Sequence, residues 1–183
     1  MSIDKKKPFV EEIKLVNHKV FNDNRGSFSK LYSINNKSFS YKNINIKQIN
    51  ISHNIKTGTV RGLHFQNPPF IEEKIVTCLK GSIFDIVVDL RKESKNFLRW
   101  QSISLSEKDN FSIYIPKGFA HGFQTLEDNT NLLYFHSEDH VHAADNGINP
   151  LDPFLNINWP IEISEISDKD SNQKKIDETF LGF

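Results

Sequence analysis

Four short segments of this sequence carry side chains that could transfer protons. The first, Val60-Arg61-Gly62-Leu63-His64, sets a guanidinium and an imidazole three residues apart. Strict alternation along a strand would send Arg61 and His64 to opposite faces, but a bulge at Gly62 would bring both into one cavity. Taken alone, a histidine in such a strand is more often structural than catalytic, so its interpretation depends on the other segments.

The other three segments each have a structural alternative. In Ile115-Pro116-Lys117-Gly118-Phe119-Ala120-His121-Gly122, proline and two glycines predict a tight turn that delivers His121 to the start of a strand. Tyr134 lies in an apolar run, where a core tyrosine with a satisfied hydroxyl is the simpler interpretation. Asp170 ends the run Ser167-Asp168-Lys169-Asp170, which by itself is typical of a solvated polar turn.

Short segments of alternating apolar residues must position these side chains. Their pattern, with Asn, Asp, Gly and Lys between them, predicts an all-β sandwich or barrel with little helix. Two short helices are expected, one at 36–41 and one that starts in the polar stretch 167–175 and ends near Phe180. The predicted strands are 13–21, 46–53, 59–65, 74–79, 82–90, 98–105, 111–115, 121–125 and 131–136.

One predicted strand bears on the site directly. Alternation places Gln48, Asn50 and Ser52 on one face and the isoleucines of the same strand on the other. The simpler interpretation is a half-exposed strand with its polar side in water. The alternative is a barrel strand whose polar side lines a ligand cavity, and the nearby segment around His64 favours it.

The composition is typical of one cytoplasmic domain. A chain of 183 residues fits a single domain, and its 23 basic residues balance 23 acidic ones without a long basic block, which argues against nucleic-acid and membrane-surface partners. The one cysteine, Cys78, lies in an apolar run, which favours a core residue in a reducing compartment. No apolar stretch approaches the roughly 20 residues of a membrane span, and the charged stretch 1–8 is unlike a signal peptide.

Taken together, the segments from about Val20 to Asp170 resemble one family, the dTDP-4-dehydrorhamnose 3,5-epimerases. So many matches, in order and at compatible spacing, make a coincidence implausible. The matching motifs are Phe21-x-Asp23-x-Arg25-Gly26-x-Phe28, Gln48-x-Asn50-x-Ser52, Arg61-Gly62-Leu63-His64-x-Gln66-x-Pro68-Pro69, Lys74-Ile75-Val76, Gly81 to Asp85, Asp89-x-Arg91-x-x-Ser94, Ile115-Pro116-x-Gly118-Phe119-Ala120-His121-Gly122-Phe123, Asp152-Pro153, Ile157-x-Trp159-Pro160 and Ser167-x-Lys169-Asp170.

The resemblance implies a fold and a reaction. The fold is a cupin-type jelly roll (a double-stranded β-helix), and we expect a single domain with its core at about 13–160 and the segment 161–183 packed on the barrel. Epimerisation beside a ketone needs a base, an acid on the opposite face and a group that stabilises the enolate oxygen. By resemblance, His64 is the base, Asp170 orients it, Tyr134 is the acid and Lys74 stabilises the oxyanion.

The resemblance also implies how the substrate is bound. A homodimer is expected, because in this family the neighbouring subunit holds part of the nucleotide, and neither a cofactor nor a metal ion is implied. The expected substrate is a sugar nucleotide, and the expected product serves cell-surface polysaccharide synthesis, as in lipopolysaccharide O-antigen. The residues expected to bind the substrate are Arg25, Phe28, Lys30, Gln48, Asn50, Arg61, His121, His140 and Lys169.

Four residues depart from the family pattern. Lys30 replaces a usual Glu, Glu72 a usual Gln, His140 a usual Tyr and His142 a usual Pro. Lys30 and His140 fall where the family recognises the nucleobase. An ammonium can only donate hydrogen bonds, so Lys30 suits the N3 acceptor of cytosine better than the N3–H of thymine. A dTDP-sugar stays the first expectation, with a CDP-sugar as the alternative.

Three other functions compete with this interpretation. A metal-dependent cupin would gather two or three histidines and a carboxylate, and His140-Val141-His142 has a suitable spacing, although it follows the last core strand. A sugar-nucleotide binding module without catalysis would not need the pair His64 and Asp170 opposed by a tyrosine. An epimerase that acts only at C3 or only at C5 needs the same groups, and the sequence does not separate it from a 3,5-epimerase.

Overall fold

Alternating apolar residues build two antiparallel β-sheets that face each other. The computed structural model describes residues 12–33 and 44–183. In chain order, the elements are β1 (Lys14–Asn17), β2 (Lys19–Asp23), β3 (Gly26–Lys30), β4 (Gln48–Asn54), β5 (Thr59–Gln66), β6 (Lys74–Lys80), β7 (Ser82–Asp89), β8 (Trp100–Ser106), β9 (Phe111–Ile115), β10 (Phe119–Thr125), β11 (Thr130–His136), β12 (Asp145–Gly147), β13 (Glu165–Ile166) and α1 (Asp168–Ser171).

The strands form two large sheets and one separate hairpin. The first sheet has the order β1-β9-β6-β11-β4, and the second has the order β12-β5-β10-β7-β8, with β13 pairing parallel to β5. Strands β2 and β3 pair only with each other, as a two-stranded sheet. The predicted all-β architecture is therefore confirmed.

The core lies between the sheets and continues onto both outer faces. The inner cluster includes Val76, Ile113 and Leu132 from the first sheet and Val87 and Phe123 from the second. The outer face of the second sheet packs under the C-terminal segment, so its central strand β10 is buried along its whole length. Strand β7 is covered on both faces, which is why its residues from Ile83 to Val88 form an apolar run that only Asp85 interrupts.

Two sequence expectations about elements are wrong. The predicted strand 13–21 is two strands in different sheets, because the chain turns at His18, whose backbone N–H donates to Asn110 O at 2.7 Å. The predicted C-terminal helix is only the short α1 and does not reach Phe180. Past Asn172, Lys174 O accepts from Asn149 N and Ile176 N donates to Asp152 Oδ2, and these bonds hold the chain extended. The helix expected at 36–41 lies outside the described residues.

A bulge in β5 sets the direction of the site residues. His121 pairs with His64 and Phe123 with Arg61, so Gly122 alone faces two residues of β5. Gly62 has a φ of +121°, and a Cβ on it would lie 2.6 Å from Gly122 Cα, so this close approach requires glycine. The bulge predicted at Gly62 is confirmed.

Candidate active site

A pocket of about 250 Å³ opens between the two sheets and collects six of the thirteen predicted site residues, among them His64, Lys74 and Tyr134. It is built from β4, β5, β6, β10 and β11, so both sheets contribute to its walls. A larger cleft of about 810 Å³ lies beneath the C-terminal segment, but no histidine or tyrosine lines it. The residues that line the smaller pocket are Asn50, Ile51, Ser52, Arg61, His64, Lys74, His121, Gly122, Phe123, Tyr134 and His136.

The imidazole of His64 is held by a buried carboxylate. Its Nε2 lies 2.7 Å from Asp170 Oδ1, and the second carboxylate oxygen accepts from the Gly62 backbone N–H at 3.1 Å. The Asp170 side chain is 4% exposed, whereas that of His64 is 36% exposed and lines the pocket. An ionised carboxylate accepts only, so the neutral imidazole carries its proton on Nε2 and leaves Nδ1 as the free base.

The short helix α1 brings Asp170 to the histidine. Ser167 caps this helix, and its hydroxyl accepts from the Asp170 backbone N–H at 3.0 Å. Burial alone would raise the pKa of the Asp170 carboxyl, but the hydrogen bond and charge of His64 and the Gly62 N–H together lower it. Asp170 therefore stays ionised and can steady an imidazolium at His64.

Tyr134 and Lys74 lie on the first sheet, across the pocket from His64. Burial raises the pKa of the Tyr134 hydroxyl, and the negative charge of Asp85 raises it further, so the phenol keeps its proton. Within the described residues this hydroxyl makes no hydrogen bond, which leaves its proton available to a ligand. The Lys74 side chain is 8% exposed, and its Nζ lies 3.0 Å from Glu72 Oε1.

A second histidine–carboxylate pair lies at the inner end of the pocket. His121 Nε2 lies 2.7 Å from Asp85 Oδ2, and both side chains are almost fully buried. The rings of His121 and Tyr134 meet edge to face at 6.1 Å. This pair was not predicted, although one signal was present: Asp85 interrupts the apolar run from Ile83 to Val88, and a carboxylate inside such a strand needs a buried partner.

These groups together can move a proton on carbon. A free imidazole nitrogen, a protonated phenol and an ammonium share one pocket and come from different sheets. Within residues 12–33 and 44–183, no three His, Cys, Asp or Glu side chains lie close enough to hold a metal ion. His140 and His142 lie in the loop between β11 and β12, not on a strand that would point both rings the same way.

Comparison with known proteins identifies the family. Residues 8–178 match the family model for dTDP-4-dehydrorhamnose 3,5-epimerase. The chain belongs to this family. It is 36% identical over 175 residues to the dTDP-4-dehydrorhamnose 3,5-epimerase of Sinorhizobium fredii, which covers 95% of this chain and 90% of that one.

Other members agree in structure and differ in reaction. The crystal structure of the Bacillus anthracis dTDP-4-dehydrorhamnose 3,5-epimerase, with TDP and PPi bound, superposes with a TM-score of 0.88 at 34% identity and covers 93% of this chain and 98% of that one. The dTDP-4-dehydrorhamnose 3-epimerase of Streptomyces niveus is 34% identical over 151 residues, 82% of this chain and 72% of its own. The predicted cupin-type fold and the isomerase class are confirmed.

The predicted binding residues fall into two groups within one chain. Asn50, Arg61 and His121 line the pocket, and Gln48 supports Asn50 through a 3.0 Å hydrogen bond from its Nε2 to Asn50 Oδ1. Asn50 and Ser52, from the polar face predicted for this strand, line the cavity, whereas Ile49 and Ile51 are exposed by more than half and Ile51 also reaches the pocket lining. The residues outside the pocket lining are Arg25, Phe28 and Lys30 on the hairpin β2–β3, and His140 and Lys169, which both pair with Asp145 at the surface.

Proposed function

We propose that this chain inverts C3 and C5 of a 4-keto-6-deoxy sugar nucleotide, converting dTDP-4-dehydro-6-deoxy-D-glucose into dTDP-4-dehydro-L-rhamnose. The observation that carries the proposal is the pocket in which the pair His64–Asp170 lies opposite Tyr134 and Lys74. These supply the base, the acid and the oxyanion stabiliser that the reaction requires. Membership of a family whose named members catalyse this reaction supports it.

The reaction proceeds as a proton removal followed by a proton return. Nδ1 of His64 takes the proton from a carbon next to the C4 ketone, and the electron pair moves through the new C=C bond onto O4. The Lys74 ammonium stabilises this enolate, while Asp170 stabilises the imidazolium. The Tyr134 hydroxyl then donates its proton to the opposite face of the carbon, and exchange with solvent restores both side chains. C3 and C5 both adjoin C4, so one set of groups serves both.

A single-position epimerase is the second candidate. The Streptomyces niveus relative, which is named a 3-epimerase, is about as similar to this chain as the 3,5-epimerases are. Both reactions use the same base and the same ketone. The 3,5-epimerase repeats the proton removal and return at the second carbon that adjoins C4, whereas the single-position enzyme acts at one carbon only. The alternative substrate is a related dTDP- or CDP-4-keto sugar.

We also propose that the active form is a homodimer. The pocket volume of about 250 Å³ is below the roughly 300–1,000 Å³ of typical ligand sites, so it suits the sugar and leaves the nucleotide outside. The hairpin β2–β3 carries Arg25, Phe28 and Lys30 away from their own pocket, and Phe28 is 70% exposed. The edge strand β4 exposes Ile49 and Ile51 by more than half. A second copy would cover these apolar residues and bring its hairpin to the nucleotide.

The proposed setting is the cytoplasm, where the product would supply cell-surface polysaccharide synthesis, for example lipopolysaccharide O-antigen. The buried free thiol of Cys78 supports a reducing compartment. No helix within the described residues is long and apolar enough to cross a membrane.

Solvent deuterium incorporation tests the function directly. The protein is incubated in D₂O with dTDP-, UDP- and CDP-linked 4-keto-6-deoxy sugars, and NMR locates the deuterium in each product. We expect incorporation at both C3 and C5 of the dTDP sugar, with inversion at both. Deuterium at one carbon only would establish the single-position epimerase, and no incorporation into any of the three sugars would refute the proposal.

A further inference from the structure

A carboxylate behind the pocket wall joins two of its lining residues. Glu72 Oε1 lies 3.0 Å from Lys74 Nζ, and Glu72 Oε2 lies 2.8 Å from His136 Nδ1. The three side chains are 8–13% exposed. The ring of His136 lies nearly parallel to that of Tyr134, at 5.8 Å and 19°. Glu72 thus contacts the oxyanion stabiliser and the neighbour of the proposed acid.

The same wall continues as a row of hydrogen bonds towards the mouth of the pocket. His136 pairs with Lys74 on one side and with Gln48 on the other, so the three side chains point to one face. Asn50 Nδ2 lies 3.5 Å from His136 Nε2, which is the longest and weakest contact of the row. Gln48 Nε2 donates to Asn50 Oδ1 at 3.0 Å, and Gln48 Oε1 accepts from the His140 backbone N–H at 2.8 Å.

The two ends of this row determine the direction of every bond in it. The His140 N–H can only donate, so the Gln48 oxygen must face it, and each following amide is oriented in turn. At the other end, burial alone would raise the pKa of Glu72, but the hydrogen bond from His136 and the charge of Lys74 lower it. Glu72 is therefore an ionised acceptor, and His136 must donate to it from Nδ1 and accept from Asn50 at Nε2.

We propose that Glu72 and His136 are positioning residues of this active site. The row of hydrogen bonds that joins them fixes His136 as the Nδ1-protonated tautomer, and it orients the Lys74 ammonium and the Asn50 amide towards the sugar. An ammonium has three N–H donors, so Lys74 can bind Glu72 and still meet the ketone oxygen. Glu72, which departs from the family pattern, lies at one end of this row of hydrogen bonds, and the backbone N–H of His140 lies at the other. Only the orientation towards the sugar rests on the proposed function.

Histidine NMR tests the tautomer without any substrate. The protein is labelled with ¹⁵N-histidine, and the shifts of the two ring nitrogens separate the protonated one from the bare one. Seven histidines contribute signals, and His136→Phe identifies those of His136 by their loss. We expect a proton on Nδ1 and a bare Nε2. An Nε2-protonated His136 in the unmodified protein would overturn the proposal.

Glu72→Gln tests the link to catalysis. Glutamine is the usual family residue at this position, but in this chain it would face His136. The new amide must turn its oxygen to Lys74 and its NH₂ to His136, so the imidazole proton moves to Nε2 and opposes the Asn50 NH₂. Since a misplacement of about 1 Å can cost about 100-fold in rate, we expect kcat to fall at least about tenfold with KM changed by less than about threefold.

The neighbouring carboxylate provides the matched control. Glu73 lies outside this row of hydrogen bonds and accepts from the Tyr114 hydroxyl at 2.5 Å. Glu73→Gln therefore removes a nearby charge without changing a contact of His136 or Lys74. We expect it to leave the His136 tautomer and kcat unchanged. Equal losses in the two variants, or an unchanged tautomer in Glu72→Gln, would overturn the proposal. If no 4-keto sugar is turned over, the proposed function fails. The NMR measurement of the His136 tautomer then tests the row of hydrogen bonds by itself.

Discussion

Replacing Asp170 with asparagine is a sharp test of the catalytic base, because the structure determines how the new amide must point. Asp170 accepts from His64 Nε2 at 2.7 Å and from the Gly62 N–H at 3.1 Å. The Gly62 N–H can only donate, so asparagine keeps its oxygen there and turns its NH₂ to His64. Nε2 must then accept, and the proton moves to Nδ1. The nitrogen that should abstract the substrate proton loses its lone pair.

The expected loss follows from the role of a positioned base. Such a base contributes about 10²–10⁴-fold to a proton transfer, and the equivalent swap in a serine-protease triad lowers kcat about 10⁴-fold. We expect Asp170→Asn to lower kcat about 10³-fold, which is about 4 kcal/mol of transition-state stabilisation. KM should change by less than about threefold, because Asp170 lies behind His64 and is 4% exposed.

The assay is deuterium exchange at C3 and C5 of the 4-keto sugar, followed by NMR at saturating substrate. His64→Ala gives the residual exchange rate without the base, since it removes the imidazole itself. Asp168→Asn is the matched control, because Asp168 is an exposed aspartate in the same helix. If Asp170→Asn kept more than about a tenth of the wild-type exchange rate, where at least about 10²-fold is expected to be lost, the assignment of His64 as the oriented base would be wrong.

Four further predictions concern the acid, the nucleotide, the dimer and the pH dependence of stability. Tyr134→Phe should wash deuterium into the substrate faster than epimer forms, and equal losses of exchange and inversion would instead place Tyr134 in binding. Calorimetric titration should show which of dTDP and CDP binds tighter. A tenfold preference for dTDP, about 1.4 kcal/mol, would exclude a Lys30 that selects cytosine. A preference for CDP that reverses in Lys30→Glu would establish one. Phe28→Asp should give a monomer by light scattering, whereas Phe154→Asp, at a phenylalanine that is 63% exposed outside the hairpin, should not. Folding lowers the pKa of Asp170. Its contribution to stability is therefore complete above the pKa of the unfolded state and is lost as the pH falls through the pKa of the folded state. The unfolding free energies of wild type and Asp170→Asn, measured in urea, should converge in acid.

The sheets were predictable from the sequence because their signal is local. Alternating residues with turn residues between them predicted the boundaries of most strands to within a few residues, and Gly62 indicated the bulge between Arg61 and His64. The break at His18 was not predictable, because the segment 13–21 contains no glycine or proline that would mark a turn. Only its partners elsewhere in the chain, such as Asn110 just before β9, decide where one strand ends and the next begins.

The site was only partly predictable, since its central contact joins residues 106 positions apart. No local pattern in a single sequence connects His64 with Asp170, and the resemblance to a family was the only link between them. Asp85 was overlooked as a partner of His121, although its place in an apolar strand was visible. His136 offered no signal, because a polar residue at the end of a strand usually faces solvent.

One physical device recurs on both sides of the pocket. At His64, the backbone N–H of Gly62 fixes one oxygen of Asp170, so the other is left for the imidazole. At His136, the backbone N–H of His140 orients the amides that lead to the imidazole. A backbone N–H cannot exchange its donor role for an acceptor role, whereas side-chain amides and imidazoles can. The fold therefore sets the tautomers of both histidines before a substrate arrives, and opposite ones: His64 presents a bare Nδ1, and His136 a bare Nε2.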